Sequence, residues 1–103
     1  MNFLFDSQGR HLANAVDGQL HAPTGENIGH FVEADGIYVD MLGQYLGEVV
    51  LENRLLSKKT SPLRFTNYGE LGDFGNAGNF GDPGEAGTIG IPSEYEDVAA
   101  FSQ

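Results

Sequence analysis

The sequence predicts an all-β fold: four repeated β-hairpins around a pseudo-four-fold axis, then a glycine-rowed extension and a short C-terminal helix. Three observations lead there. Glycine supplies 15 of 103 residues, roughly twice the ~7% average, which favours turns over helices. Asp17-Gly18 and Asp35-Gly36 interrupt runs of apolar-alternating residues; Asp-Gly suits a two-residue turn because glycine bears positive φ without a Cβ clash and Asp tolerates the left-handed region. Finally, one grammar recurs at about seventeen-residue intervals, the signature of a repeat architecture. A glycine (Gly9, Gly25, Gly43) is followed by two mostly polar residues, an aliphatic one (Leu12, Ile28, Leu46), a small one (Ala13, Gly29, Gly47), an apolar pair and a turn.

Taken in order, the elements are strands over 2–5, 10–16, 19–22, 26–33, 37–40, 44–51 and 54–57. The links Asp6–Gly9, Ala22–Gly25 and Asp40–Gly43 end in glycine, as longer hairpin loops with a left-handed last residue do. A degenerate fourth unit, 54–59, lacks the glycine, as a capping repeat would. An isolated hairpin is marginal in water, so the units must share a core, with Leu4, Leu12, Val16, Leu20, Ile28, Phe31, Val32, Ile37, Leu46, Val49 and Leu55 facing inward. Ala13, Gly29 and Gly47 then mark places where backbones crowd.

The strings Gly9-Arg10-His11-Leu12-Ala13, Gly25-Glu26-Asn27-Ile28-Gly29 and Gly43-Gln44-Tyr45-Leu46-Gly47, with their Asp-Gly turns, give the chain a likeness to a known family. It resembles the four-fold beta flower proteins, small bacterial domains of four petal-like hairpins. The resemblance covers about the first sixty residues. It implies a fold with no established activity and no catalytic or binding residues to carry over.

From Gly69 to Gly90 glycine fills every third position. The residues after each glycine are nearly all polar, from Glu70 and Asp73 to Thr88, and the next column is wholly apolar: Leu71, Phe74, Ala77, Phe80, Pro83, Ala86, Ile89 and Pro92. A three-residue period matches a polyproline II helix. Only Pro83 and Pro92 lie in the row, against the 15–20% or more of imino acid that collagen uses, and its Phe and Leu would form a bare apolar stripe. The expectation is a polyproline-II-like extension with its apolar edge docked on protein and its glycine edge open to close backbone approach. Straight, it would reach about 75 Å, beyond a globule with a radius of gyration near 13 Å. Assembly between subunits is therefore expected, through Leu71, Phe74, Phe80 and Ile89 with Gly72, Gly75, Gly78 and Gly81. Ser93 and Glu96 form a capping-box pattern that starts a helix. The organisation is a hairpin domain over 1–67, the extension over 68–92 and the helix over 93–103.

Composition narrows function. With Cys and Trp absent, thiol redox chemistry and Cys-ligated metal sites are excluded. Net charge of −10 opposes nucleic acid, whose binding needs surplus Lys and Arg. No apolar run approaches the ~20 residues of a membrane span and Met1-Asn2-Phe3 lacks a basic start, so a cytoplasmic protein without membrane contact is expected. Nucleophile and phosphate-loop motifs are missing. No cofactor is expected, and the leading reading is a non-enzymatic, homo-oligomeric structural or interaction module. The alternative is a small ligand-binding or weakly catalytic domain using His11, His30 and nearby Asp or Glu in a central cleft. Basic Arg54, Lys58, Lys59 and Arg64 oppose a purely acidic tail, which suggests tail-to-body contact, or a small anionic-ligand site at Arg54, Lys58 and Arg64.

Overall fold

The computed structural model describes residues 1–98. Seven strands follow one another around a ring: β1 (Asn2–Phe5), β2 (His11–Val16), β3 (Gln19–His21), β4 (Asn27–Val32), β5 (Ile37–Asp40), β6 (Tyr45–Val50) and β7 (Arg54–Lys58). Each pairs antiparallel with the next. β7 then meets β1 in parallel at Phe5↔Arg54, where the Phe5 N–H donates to the Asn53 carbonyl at 2.9 Å, closing the barrel. The predicted strands thus form with bounds shifted by at most a residue.

Local chemistry sets the turns. Asp17 (φ 49°) and Gly18 (φ 80°) make the expected tight turn. At Asp35-Gly36 the expected two-residue turn is replaced by a four-residue loop between Val32 and Ile37, because the Asp35 and Gly36 N–H groups both donate to the Val32 carbonyl and only Gly36 has positive φ. The last hairpin turns on Leu51 (φ 51°) and Glu52 (φ 78°), two non-glycine residues in the left-handed region. Loops 6–9, 22–25 and 40–43 share one pattern: the first residue's N–H donates to the carbonyl four residues on, and the glycine N–H donates back to the first carbonyl. Asp6 and Asp40 add a carboxylate that receives two N–H groups each, Gln8 and Arg10 for the first, Leu42 and Gln44 for the second.

The core gathers Leu4, Ala13, Leu20, Tyr38 and Leu55, with Leu12, Ala15, Ile28, Leu46 and Val98 packed against it. Ile37 is also buried, as are Phe5, Val39 and Leu56, which the sequence reading did not place inward. Phe31 and Val49, expected inside, are exposed at 38% and 37%. Crowding at the small residues is real: a Cβ on Gly29 would lie 2.4 Å from the Val39 carbonyl oxygen, and one on Gly47 2.5 Å from that of Leu56.

After a 3₁₀ turn (Pro62–Phe65) capped by Ser61, the glycine row wraps around the barrel. It is not a polyproline II helix. Such a helix needs φ near −75° throughout, whereas Gly69, Gly72, Gly75, Gly78, Gly81, Gly84 and Gly87 all have φ between 77° and 91°. The alternation bends the chain repeatedly, so the molecule keeps a radius of gyration of 12.8 Å and extents of 34 × 34 × 23 Å instead of carrying a projecting rod. The expected C-terminal helix is corrected as well. Tyr95–Asp97 form a strand, β8, antiparallel to β7 through Leu56↔Asp97, Ser57↔Glu96 and Lys58↔Tyr95. The half-open edge of β7 beyond its contact with β1 offers three ladder positions, and a pairing of three backbone residues outcompetes a helix too short to persist alone. The remainder of that expected helix, 99–103, lies outside the described residues.

Candidate functional site

The most elaborate feature of the molecule is the belt that residues 68–92 make around the barrel. Its backbone docks at regular steps: the N–H groups of Tyr68, Ala77 and Ala86 donate at 2.9 Å to the carbonyls of Gly43, Gly25 and Gly9 respectively. Residues 68, 77 and 86 lie nine apart, three triplets per step, and meet the hairpin loops in reverse chain order. The apolar column, with Tyr68 one triplet ahead of Leu71, supplies all three donors. It also supplies the Phe74 N–H to Asn27 Oδ1 at 2.9 Å and the Ile89 N–H to the Ser7 carbonyl at 2.8 Å.

The glycines of belt and loops have different jobs. In the belt a Cβ on any of Gly69 to Gly90 would meet open space, so the seven from Gly69 to Gly87 serve positive φ and not close packing. This corrects the expectation of a glycine edge in backbone contact. Close approach occurs on the loop side, where a Cβ on Gly9 would lie 2.5 Å from the Gly87 nitrogen and one on Gly43 2.3 Å from the Gly69 oxygen. Between docks the belt holds its own shape. Side chains of Asn67, Asp73, Asn76, Asn79 and Asp82 accept from the N–H two residues ahead, that of Gly69, Gly75, Gly78, Gly81 and Gly84, at 2.7–2.8 Å. These are Asx turns, and they satisfy backbone donors that would otherwise compete for water.

Burial follows the same column. Within 69–94 only Ala77, Pro83, Ala86 and Ile89 are half-buried, all from the apolar edge. Small Ala77 and Ala86 sit at two of the docks and Tyr68 at the third. The larger members stand clear, with Leu71, Phe74 and Phe80 exposed at 50%, 61% and 42%.

Two anchors fix the far end. Arg54, buried, donates from Nη1 to the carbonyls of Gly87 at 2.7 Å and Asp6 at 3.2 Å, and from Nη2 to Ala86 at 3.0 Å. The guanidinium suits this because its planar fork presents several donors at fixed angles. Asp97 in β8 receives the Ser7 N–H at 2.8 Å and the Ser7 hydroxyl at 2.6 Å, joining the last strand to the first loop. Nearby, the Glu48 carboxylate receives the hydroxyls of Tyr45 at 3.0 Å and Tyr95 at 3.2 Å. Burial, reinforced by that carboxylate, pushes the Tyr45 phenol up to about 12.

Two of the basic residues, Arg54 and Arg64, are engaged by the chain itself, while the Lys58 and Lys59 ammonium groups have no hydrogen bond or ion pair among the described residues. Arg54 is spent on carbonyls, and Arg64 reaches the Lys58 carbonyl at 3.3 Å and the Glu96 carboxylate at 3.6 Å. The tail-to-body contact expected from charge is therefore present, carried more by carbonyls than by carboxylates.

Each histidine has its own partner. His11 Nε2 meets Asn14 Oδ1 at 2.7 Å, with its ring against Phe3 and Phe5. His21 Nδ1 meets the Gly25 carbonyl at 2.9 Å. His30, only 1% exposed, bonds through Nδ1 to Gln19 Oε1 and lies edge-on to Phe74, while its Nε2 has no partner among the described residues. Burial lowers its affinity for a proton, which Asp73 partly restores. No group of three or more His, Asp or Glu able to hold a metal ion occurs among the described residues.

Sequence reasoning missed Asn27, whose amide also donates to the carbonyls of Leu20 and Gly29 at 3.0 Å, together with Ser7 and Asp97. Single polar residues, whether in a loop (Ser7) or at a strand end (Asn27, Asp97), give no advance signal of a partner tens of residues away. No described helix is long and apolar enough to cross a membrane. No protein family, curated protein or solved structure matches the chain.

Proposed function

We propose that this chain is a non-enzymatic structural or interaction module: a petal ring of the four-fold beta flower kind, strapped by its own belt and self-assembling through the large apolar residues that the belt leaves exposed. Four sectors are suggested by the loops at 6–9, 22–25, 40–43 and 58–61, with Ser61 standing where the others have glycine. The belt supports the same count, because Tyr95, paired to Lys58, continues the nine-residue series of 68, 77 and 86.

The observation that carries the assembly reading is the row of Leu71, Phe74 and Phe80, large, apolar and exposed on a backbone pinned at regular intervals. Soluble monomers seldom leave such a stripe bare, and a rigid one loses little entropy on docking. Ile89 is half-buried and tethered to Ser7, and Gly72, Gly75, Gly78 and Gly81 shape the belt, so they present the stripe and do not form it.

The test is solution mass by light scattering for the wild type and for Leu71→Ser/Phe80→Ser, with circular dichroism to verify folding. Phe74 is left intact because it covers His30. A mass above the monomer that falls to the monomer in the folded variant is the expected result. A wild type monomeric at high micromolar concentration overturns the reading.

A further inference from the structure

A cavity of about 330 Å³ opens at the end of the barrel where β1 begins, away from every residue discussed for assembly. Its walls are Leu4, Ala15, Phe31, Tyr38 and Val49, with Gly36 leaving space and with Asn2 and Glu52 as its polar members. The volume lies at the lower end of the range of small-molecule sites, and polar and apolar surface share the lining about equally. Leu4 and Tyr38 belong to the core, so the floor is rigid. Phe31 and Tyr38 form one aromatic wall, rings 5.1 Å apart and tilted by 50°.

Glu52 is the telling member. It sits at φ 78° beside Leu51 at φ 51°, a turn that Asn or Gly would make without strain. Strained backbone that persists where a permissive residue would serve points to a use for the side chain. The turns at this end carry Asp17, Glu33, Asp35 and Glu52 and no Lys or Arg, four carboxylates against the single ammonium of Met1 beside Asn2, so the local potential favours a cation and repels a carboxylate.

We infer that this cavity binds a small organic amine: an aromatic or branched aliphatic body held between Phe31, Tyr38, Val49 and Leu4, its ammonium group facing the Glu52 carboxylate. Rings such as Tyr38 and Phe31 also attract a cation over their faces. The lining contains no belt residue, although the Tyr68 hydroxyl at the start of the belt donates to Asp35 beside Gly36, and none of the assembly residues takes part, so the proposal is tested separately from the assembly reading.

The experiment titrates the full chain, labelled with ¹⁵N, with 2-phenylethylamine and with 3-phenylpropionate, which share an aromatic body and carry opposite charges. Saturable amide shifts at Asn2, Ala15, Gly36, Tyr38 and Glu52 with the amine, and none of comparable size with the acid, are expected. Glu52→Gln should weaken the amine about three- to five-fold, the range of an exposed ion pair. Glu52→Gly removes the charge and the strain together, so it should melt higher than wild type while binding no better than Glu52→Gln. Equal response to amine and acid, no saturable shift at millimolar amine, or closure of this mouth by a second copy, seen as concentration-dependent shifts at the same residues without any additive, each overturns the proposal.

Discussion

Replacing Gly9 by Ala tests the belt directly, with Gly18→Ala as its internal control. Both glycines have nearly the same left-handed backbone, φ 85° and 80°, so each substitution carries a conformational cost of about 1–2 kcal/mol. They differ in surroundings. A Cβ at Gly18 meets nothing within 4 Å, whereas one at Gly9 lies 2.5 Å from the Gly87 nitrogen and 2.6 Å from its oxygen. Backbone cannot swing aside as a flexible side chain can, so the belt must lift. Lifting breaks the Ala86 N–H bond to Gly9, worth about 1 kcal/mol, and at least one of the Arg54 bonds to Ala86 and Gly87, worth about 1.5–3 kcal/mol to a charged donor. Gly9→Ala should therefore destabilise by about 4–6 kcal/mol and Gly18→Ala by about 1–2 kcal/mol. Urea unfolding followed by circular dichroism measures the difference, and hydrogen exchange should show the Ala86 amide losing protection before the strands do. If the two variants unfold within about 0.5 kcal/mol of each other, the belt contributes nothing at this dock and the reasoning fails.

Asp97→Ala removes both acceptors from Ser7 and leaves its buried N–H unpaired, so a loss of about 2–4 kcal/mol in thermal or urea unfolding is expected. His30→Phe tests acid sensitivity. Because burial depresses the folded-state pKa of His30 below 6.5, the unfolded chain binds the proton more readily, and stability should decline as pH falls below about 6.5; this part of the pH profile should flatten in the variant. For Asp6, burial alone would raise its pKa, but the N–H groups of Arg10 and Gln8 and the Arg10 guanidinium outweigh it and hold the carboxyl below 3.8. Its stabilising effect is present above about pH 4 and is lost as pH falls through the lowered folded value, so Asp6→Asn should be less stable than wild type at pH 7 and closer to it near pH 3. Asn76→Ala removes one Asx turn at 2.7 Å from an exposed stretch of belt, for an expected loss of about 0.5–1 kcal/mol and faster exchange at Gly78.

The barrel was legible because hairpin chemistry is local. Asp17-Gly18 dictates its turn, and the spacing of Gly9, Gly25 and Gly43 fixes where the longer loops fall. Crowding at Gly29 and Gly47 followed from the same repeat. The belt was half legible. A three-residue period is common to a polyproline II helix and to a string of Asx turns, and the discriminating signal lay in Asp73, Asn76, Asn79 and Asp82, each placed to cap the N–H of a glycine two residues on. β8 was illegible for a different reason: Ser93 and Glu96 suit a helix start locally, and only the vacant edge of β7, 37 residues back from Tyr95 at Lys58, decides otherwise. His11 and His30 fall at similar repeat positions, yet each is absorbed by its own neighbours, Asn14 for the one and Gln19 for the other.

The clasp between Ser7 and Asp97 spans 90 positions of chain, and that separation governs when the molecule can be finished. On a ribosome all seven staves emerge long before the piece that seals them, leaving Leu56 to Lys58 as a bare strand edge for the whole interval in which residues 68–94 are synthesised. Such edges recruit other chains, and contacts of this sequence separation form slowly. A messenger cut short anywhere in the glycine row would thus yield a nearly complete barrel with a sticky seam, prone to aggregation and turnover, whereas a chain that includes β8 hides that seam behind Tyr95 to Asp97.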